Sequence, residues 1–405
     1  MDSLITAAGR ALKAGDPLGA LDRIALWDDA PALALRGIAM SQLGDLSKAK
    51  ELLRRAARSF GHRERLDRAR CVTAEAEVAL ASRELQWPPR ALEEARRTFT
   101  AFGDHDNAHH ATLLQIRWLL LLGRVTEAGH ALDKLELRGA PAMLVARGEL
   151  VAAEIALRHG QVSVGQKALV RARNAANRSG IDPLCFEVKQ VEQSLALPAA
   201  RLIFRGCERS LLLAEVETII GSQDLIVDAC RRVLRLAQRE VGLARRPILF
   251  SLLRTLAEAW PGEATRESLC ERAFRAQRIN DSHRARLRVE MGRLRKELRS
   301  LAHVRATPGG FTLVPTSGEV LVLAPPIESP HAGMLALMAD GEAWSASALA
   351  LALGLSARTV QRALGTLEAS SKVRTLGHGR SRRWLCAPIS GFATTLLLLT
   401  QPGFS

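Results

Sequence analysis

The chain has 405 residues, of which 47% are hydrophobic and 24% are charged. This is globular composition for roughly two to four domains, and it excludes a wholly disordered chain. The formal net charge is +15, of which residues 1–200 carry +4 and residues 201–405 carry +11. A basic C-terminal half beside a near-neutral N-terminal half indicates a polyanionic partner, with nucleic acid favoured over an anionic membrane surface.

The cysteines and the chain ends indicate the cellular compartment. The six cysteines are too widely spaced for a CxxC-type zinc site and are expected to be reduced thiols, mostly buried. The N-terminus has the spacing of an amphipathic helix and not of a signal peptide, and the apolar stretch from Ile389 to Leu399 is too short to span a bilayer. We therefore expect a cytoplasmic, nucleoid-associated protein without a membrane partner.

Residues 1–197 have a helical pattern, with apolar residues at i, i+3, i+4 and i+7 interrupted by short turns. Four of these turns contain a glycine followed by a polar residue: Gly15-Asp16, Gly44-Asp45, Gly123-Arg124 and Gly160-Gln161. The segment from Leu35 to Phe60 resembles a tetratricopeptide (TPR) repeat, with small residues at Gly37 and Ala39 before the turn and at Ala49 and Ala56 after it. The turns recur at ~29 to ~42 residues, more loosely than the TPR period of about 34. This pattern predicts a TPR-like α-solenoid of about five helical pairs.

The periodicity changes after residue 197. Short apolar runs at Arg201–Phe204, Ser210–Leu213 and Leu225–Asp228 predict strands. Three prolines between Leu323 and Pro330 predict an interdomain linker. The expected fold is mainly α, with a TPR-like solenoid followed by two winged-helix (α+β) domains. The expected boundaries are 1–197, 198–322, a linker at 323–330, and 331–405 with an apolar C-terminal tail.

The first winged-helix prediction rests on the order of elements between residues 225 and 314. After the strand pattern come three helical patterns, Pro247–Glu258, Arg266–Ala273 and Ser282–Leu301, and then a hairpin whose tip is Pro308-Gly309-Gly310. Residues 223–315 resemble the OmpR/PhoB-type winged-helix DNA-binding domain. The resemblance is most specific at RVEMGRLRKEL, from Arg288 to Leu298, and includes the Pro261-Gly262-Glu263 turn and the glycines before Phe311.

The resemblance implies that the long helix lies in the major groove and that the hairpin tip, or wing, touches the minor groove or the backbone. The chain departs from the family at Glu290 and Gly292, where contact residues are often polar or basic, and at Thr307, where a wing arginine is common. Base preference is therefore not carried over. No receiver-type phospho-acceptor domain precedes the winged helix, and the solenoid occupies that place.

The residues themselves agree with this resemblance. Leu287, Met291, Leu294 and Leu298 form one apolar stripe and leave the basic residues on the other faces of the helix. Residues 272–305 contain 11 basic and 3 acidic residues, which predicts strongly salt-dependent DNA affinity. Arginine also reads guanine edges. The predicted DNA contacts are Arg284, Arg286, Arg288, Arg293, Arg295, Lys296, Arg305 and Thr307. The alternative is a solvated helix face.

Residues 331–388 repeat this order in a smaller form. Helices are expected at Ala332–Met338, Ser345–Leu353 and Ser356–Leu367, followed by a hairpin around Gly377-His378-Gly379. The segment is similar to generic helix-turn-helix regulators, in which base contacts come from the N-terminal half of the third helix. The predicted contacts are Arg358, Thr359, Gln361 and Arg362 on that helix, and Arg380, Arg382 and Arg383 on the hairpin. The alternative is a module for dimerisation or protein docking.

No catalytic pattern is present in the sequence. It contains no GxxxxGK[ST], GxSxG or HExxH, and no GxGxxG in context, so we expect no enzyme activity, no catalytic residues and no cofactor. The cluster from Asp104 to His110 has metal-ligand residue types, but a polar loop in which Asp106 caps the next helix is the preferred interpretation, and no metal site is predicted.

The sequence therefore predicts a bacterial DNA-binding transcriptional regulator. Double-stranded DNA is the expected partner of the two winged helices, and a protein, a peptide or a second subunit of a homodimer is the expected partner of the solenoid. The alternative is a non-enzymatic adaptor that docks a multisubunit complex, such as defence or mobile-element machinery, onto DNA.

Overall fold

The structure, a computed structural model, describes residues 2–61, 63–274, 276, 278–326, 329, 331–339, 341–377, 379 and 382–386. It is mainly helical, with small sheets in the C-terminal half. The predicted apolar tail lies outside the described residues. Within the part of the chain that the structure describes, no helix has both the length and the apolar surface that a membrane span requires. All six cysteines are free, and Cys207 is exposed.

The N-terminal helical region, residues 2–194, contains eleven consecutive helices. They are α1 (Asp2–Lys13), α2 (Pro17–Ile24), α3 (Ala30–Gln42), α4 (Leu46–Ser59), α5 (Arg65–Ala81), α6 (Pro89–Ala101), α7 (His105–Leu121), α8 (Val125–Asp133), α9 (Ala142–Arg158), α10 (Val162–Ser179) and α11 (Asp182–Ser194). Each helix packs against the next, and the odd-numbered helices α5, α7 and α9 also pack against one another.

Small residues explain the tight turns and the close packing in this region. The glycines of all four predicted turns have φ between +71° and +85°, a left-handed conformation that other residues rarely adopt. At Gly37 an added Cβ would lie 2.7 Å from Leu53, so the approach of α4 to α3 requires a glycine there. The helix boundaries therefore follow from the sequence pattern.

The central module, residues 200–324, begins with a six-stranded sheet. Its elements are β1 (Ala200–Phe204), β2 (Cys207–Leu211), α12 (Leu213–Ile220), β3 (Leu225–Asp228), β4 (Val233–Leu236), β5 (Arg239–Gly242) and, at the end of the module, β9 (Val320–Ala324). The strand order is β2-β1-β9-β3-β4-β5, with β9 parallel to β3 and antiparallel to β1.

Two expectations need correction in this sheet. The predicted strand Ser210–Leu213 ends at Leu211, because Leu213 and Val216 are buried at helical spacing and begin α12. The predicted linker begins too early, because Leu323 and Ala324 are buried in β9. The apolar run was assigned to the linker because prolines, which are uncommon inside strands, follow it directly.

The second half of the central module contains three helices and a hairpin. The elements are α13 (Pro247–Glu258), β6 (Ala264–Thr265), α14 (Arg266–Phe274), α15 (Asp281–Leu298), β7 (Ala302–Ala306) and β8 (Gly310–Pro315). β8 lies between β6 and β7 in a three-stranded sheet. The core joins α13, α14 and α15 to both sheets. Helix α15 ends at Leu298, three residues before the predicted end, because Ala302 begins β7.

The C-terminal module, residues 332–386, has the same order of elements. It contains α16 (Ala332–Met338), α17 (Ala346–Leu353), α18 (Ala357–Ala369), β10 (Val373–Leu376) and β11 (Arg383–Cys386). Its core is centred on Trp344, which is fully buried and pairs with Trp384 through two backbone hydrogen bonds. The three helices lie within one or two residues of their predicted bounds.

Both modules are anchored to the N-terminal helical region. Leu157 and Val162 pack with β1, β2 and α12 of the central module, and the Glu217 carboxylate accepts the Val162 N–H at 3.0 Å at the start of α10. A carboxylate at a helix N-terminus is favourable because it meets unpaired N–H groups and the positive end of the helix dipole. Leu85 and the α7 residue Trp118 join the core of the C-terminal module.

Candidate nucleic-acid interface

Helix α15 carries six of the eight contact residues predicted in the central module. It begins at a reciprocal cap, in which the Asn280 side chain accepts the His283 N–H at 3.0 Å and the His283 ring accepts the Asn280 N–H. The predicted stripe of Leu287, Met291 and Leu294 is buried against the core. Because this stripe fixes the rotation of the helix, the basic residues are directed to solvent.

We define the basic face as the exposed basic side chains of α15 and its flanks that are not engaged by the hairpin. Its members are Arg284, Arg286, Arg288, Arg293, Lys296, Arg299 and Arg305. Among the described residues, Arg288, Lys296 and Arg305 have no ion pair or hydrogen bond through their side chains. Their positive charge is therefore available to an anionic partner.

Three members of the basic face, Arg284, Arg286 and Arg293, have neighbours. Arg284 lies 3.6 Å from the exposed Asp281, and Arg293 lies 3.0 Å from Glu290, which is largely buried beneath it. The Arg286 guanidinium lies 4.6 Å from the ring centre of Phe274, a cation–π contact with α14. The pair between Arg284 and Asp281 is exposed and therefore weak, and Arg293 is itself exposed above Glu290, so both arginines can exchange partners.

Arg295 is exposed, and its side chain also contacts the hairpin. Its Nε donates to the Val304 carbonyl at 2.8 Å, and its guanidinium lies 5.8 Å from the Phe311 ring. The Arg266 guanidinium lies 5.6 Å from the centre of the same ring. Arg266 also donates to the carbonyls of Pro308 and Thr307, at 2.7 and 3.0 Å. These two arginines hold the β7–β8 hairpin against α14 and α15.

Arg266 was missed at the sequence level, where it served only to mark the start of a helix. The sequence features that could have indicated its role are an arginine at the first position of α14 and an aromatic residue after the hairpin glycines. Neither the spacing nor the charge indicates that their side chains meet, because β6 must first pair with β8.

The hairpin tip is closed internally. The Thr307 hydroxyl accepts the Gly310 N–H at 2.9 Å, and the Thr307 N–H donates to the Gly310 carbonyl. A Cβ at Gly310 would lie 1.9 Å from the Ala264 carbonyl oxygen, so β8 reaches β6 only with glycine there. Thr307, predicted as a DNA contact, thus shapes the tip, while Arg305 is exposed on β7.

The exposed surface of α15 also has an apolar strip. Val289 is 55% exposed, and nothing lies within 4 Å of a Cβ built on Gly292. These two residues lie about one turn apart, between Arg288 and Arg293. The centre of the basic face therefore carries only small, uncharged residues.

Helix α18 carries the corresponding residues of the C-terminal module. Arg358, Thr359, Gln361 and Arg362 are all exposed. The Ser356 side chain caps the helix by accepting the Thr359 N–H at 3.2 Å, and the Ser356 and Thr359 hydroxyls lie 2.8 Å apart. Thr359 therefore takes part in the cap, and the other three side chains point to solvent.

The β10–β11 hairpin is positioned differently from the β7–β8 hairpin. Arg382 is exposed and lies 5.8 Å from the Trp384 ring. Arg383 is half-buried, close enough to α4 for its charge to contribute to a lowered pKa of Lys50, whose main cause is burial. Arg380 lies outside the described residues.

The cluster from Asp104 to His110 has a structural role. Asp104, and not Asp106 as expected, caps α7, because its carboxylate accepts the Asn107 N–H. Within the described ranges, no group of His, Cys, Asp or Glu side chains is arranged to hold a metal ion. Burial raises the pKa of Glu77, but the hydrogen bond from His110 and the charges of His110, Arg147 and Arg117 outweigh it and lower that pKa to about 2.

No protein-family model matches the chain, and no curated protein or solved structure matches it.

Proposed function

We propose that the chain is a DNA-binding transcriptional regulator whose central module is a winged helix of the OmpR/PhoB type. The observation that carries the proposal is the basic face of α15, where Arg288, Lys296 and Arg305 are exposed and have no acidic partner among the described residues. Counterion release from DNA favours such a surface, and an α-helix of this kind fits the major groove.

The order of elements supports this proposal. Three helices precede a hairpin whose tip lies beside the N-terminal end of α14 through Arg266, and whose strand β7 is held to the C-terminal half of α15 through Arg295. A winged helix requires this placement, because its recognition helix and its wing must reach the same duplex together. In this proposal Arg295 and Thr307 position the wing, and they do not contact DNA directly.

In this proposal the N-terminal helical region and the C-terminal module assist the central module. The eleven helices of the N-terminal region form a TPR-like solenoid that receives a partner or signal, and the C-terminal module is a second, smaller winged helix. Its exposed residues Arg358, Gln361 and Arg362 are available for a second DNA contact.

The test is the affinity of the full chain for a fluorescent random-sequence duplex, measured by anisotropy over a series of salt concentrations. The R288A/K296A variant should bind about 100-fold more weakly at low salt, with the slope of log K against log salt reduced by about two. The matched control is R209A/R239A, which removes the same charge from β2 and β5, the edge strands of the six-stranded sheet.

The proposal fails if the wild-type chain does not bind duplex DNA, or if the control variant loses as much affinity as R288A/K296A. Equal affinity for all duplexes, with no preferred sequence after selection, would support the adaptor function in place of a regulator.

A further inference from the structure

The odd-numbered helices of the N-terminal region line a groove that the C-terminal module partly covers. Helices α5, α7, α9 and α11 form one side of a cavity of about 480 Å³, and α16 with Trp344 forms the other. The Arg83 guanidinium lies 5.7 Å from the Trp344 ring at this junction. The volume is within the ~300–1,000 Å³ of small-molecule sites.

The polar side of the cavity has charges of alternating sign. Arg117 pairs with Glu187 at 2.9 Å between α7 and α11, and Arg147 pairs with Glu77 at 3.1 Å between α9 and α5. The Arg147 guanidinium also lies 3.0 Å from His110 Nδ1, and His110 Nε2 lies 3.4 Å from the Glu77 carboxylate. These pairs hold the four helices at a fixed spacing.

The same pairs remain accessible from the cavity. The side chains of Glu77, Glu187 and Arg117 are 45%, 41% and 46% exposed. Arg158, in contrast, is 5% exposed and is held by Glu154 and the Leu120 carbonyl. The cavity therefore offers both hydrogen-bond acceptors and donors of full charge, on side chains that are only partly satisfied by one another.

The opposite side of the cavity is apolar. Its accessible apolar side chains are Leu80 and Leu121 of the N-terminal region and Leu337 of the C-terminal module. The lining contains three carboxylates as well as four arginines, so a ligand that carries both signs of charge suits it better than a polyanion such as a nucleotide. A helix is ~10–12 Å wide with its side chains and would have to displace α16.

We propose that this cavity binds a small zwitterionic ligand with an ammonium group, a carboxylate and an apolar side chain, the chemistry of a dipeptide or tripeptide. The ammonium group meets Glu77 and Glu187, the carboxylate meets Arg117 and Arg147, and the side chain packs on Leu80, Leu121 and Leu337. The site deepens the receiving role of the solenoid in the proposed function. A bound ligand stabilises the contact between the solenoid and the C-terminal module, because it touches both.

The test uses the full chain and the tripeptide Ala-Leu-Ala, with calorimetry and the rise of the unfolding temperature as readouts. The tripeptide with free ends should bind, and its acetylated and amidated form should bind at least about tenfold more weakly, because it lacks both charges. Free leucine is the second arm. Binding of leucine as tight as that of the tripeptide would assign the site to free amino acids, with the same chemistry.

Two pairs of variants locate the site. E187Q removes a cavity carboxylate and should weaken binding about tenfold, whereas E192Q, also on α11 and paired with Arg173 outside the cavity, should have no effect. L337W should fill the cavity and abolish binding, whereas L351W alters an exposed leucine of α17 and should preserve it.

The proposal is overturned if neither Ala-Leu-Ala nor leucine binds at millimolar concentration, or if both E187Q and L337W bind like the wild type. DNA affinity is measured on the same samples without peptide, so a failure of DNA binding with intact peptide binding rejects the proposed function and not this site.

Discussion

The two modules that follow the N-terminal helical region have the same order of elements but use it differently. In the central module the hairpin is held to α14 and α15 by Arg266 and Arg295, and the basic face is open to solvent. In the C-terminal module the core extends into the N-terminal region through Leu85 and Trp118, and Arg383 of the hairpin lies close to α4. The comparison indicates that a shared order of elements does not give a shared binding surface.

The last helix of each module, α15 and α18, also differs in its charged residues. Besides its unpaired basic residues, α15 has a buried carboxylate, Glu290, beneath Arg293. Helix α18 exposes two arginines in its first half and has no basic residue after Arg362. We therefore assign the larger share of DNA affinity to the central module.

The strongest test of this assignment compares equal charge removal from the two helices. R288A/K296A should weaken duplex binding about 100-fold, whereas R358A/R362A should weaken it less than about tenfold. Anisotropy titrations at one salt concentration measure both. If the α18 pair has the larger effect, the C-terminal module is the main DNA contact and the assignment is reversed.

The next test addresses the placement of the hairpin. G310A should destabilise the hairpin by about 1–3 kcal/mol, because its Cβ would overlap the Ala264 carbonyl and separate β8 from β6. Hydrogen exchange of the β7–β8 amides measures the local opening free energy. DNA binding should weaken in parallel, since the wing would no longer be held beside α15.

The control for G310A is G292A, in which the added methyl group lies in open space on a helix. It should stabilise α15 by about 0.5–1 kcal/mol, because alanine is the better helix former. Equal exchange in the hairpins of G310A and the wild type would show that β6 can move away without loss of structure.

The helices of the chain could be predicted well from the sequence, and the reason is local. The turn glycines, the caps at Ser356 and Asn280 and the apolar stripe of α15 all act within a few residues. The strand β9 was missed, since its place between β1 and β3 depends on residues more than 90 positions earlier in the chain. Non-local strand pairing leaves only a short apolar run in the sequence.

The candidate interface was predicted as a set of residues but not as an arrangement. The basic residues of α15 are exposed as expected, because the apolar stripe sets the helix rotation. The contacts of Arg295 and Thr307 within the hairpin could not be predicted, since they depend on how the hairpin folds back onto α15. The cavity beside α16 was also unpredictable, as it forms only where two separately predicted regions meet.

A finer test concerns the apolar centre of the basic face. Val289, between Arg288 and Arg293, is suited to contact a thymine methyl group in the major groove. Selection of duplexes from a random pool should give a site with thymine at one position, and V289N should lose that preference, with a discrimination change of about tenfold. A selected site that is the same for V289N and the wild type would contradict this role.

The smallest expected effect comes from the buried carboxylate beneath the basic face. E290Q removes the negative charge that holds Arg293 at 3.0 Å and should tighten duplex binding about two- to fivefold, because a partly exposed ion pair of this kind contributes less than ~1 kcal/mol. The matched control is E297Q, on the same helix, whose partner Arg246 is not part of the basic face. If both variants tighten binding equally, only the net charge of the module matters. If E290Q alone does so, Arg293 is held back from DNA by Glu290, and the comparison of α15 with α18 understates the affinity that α15 can reach.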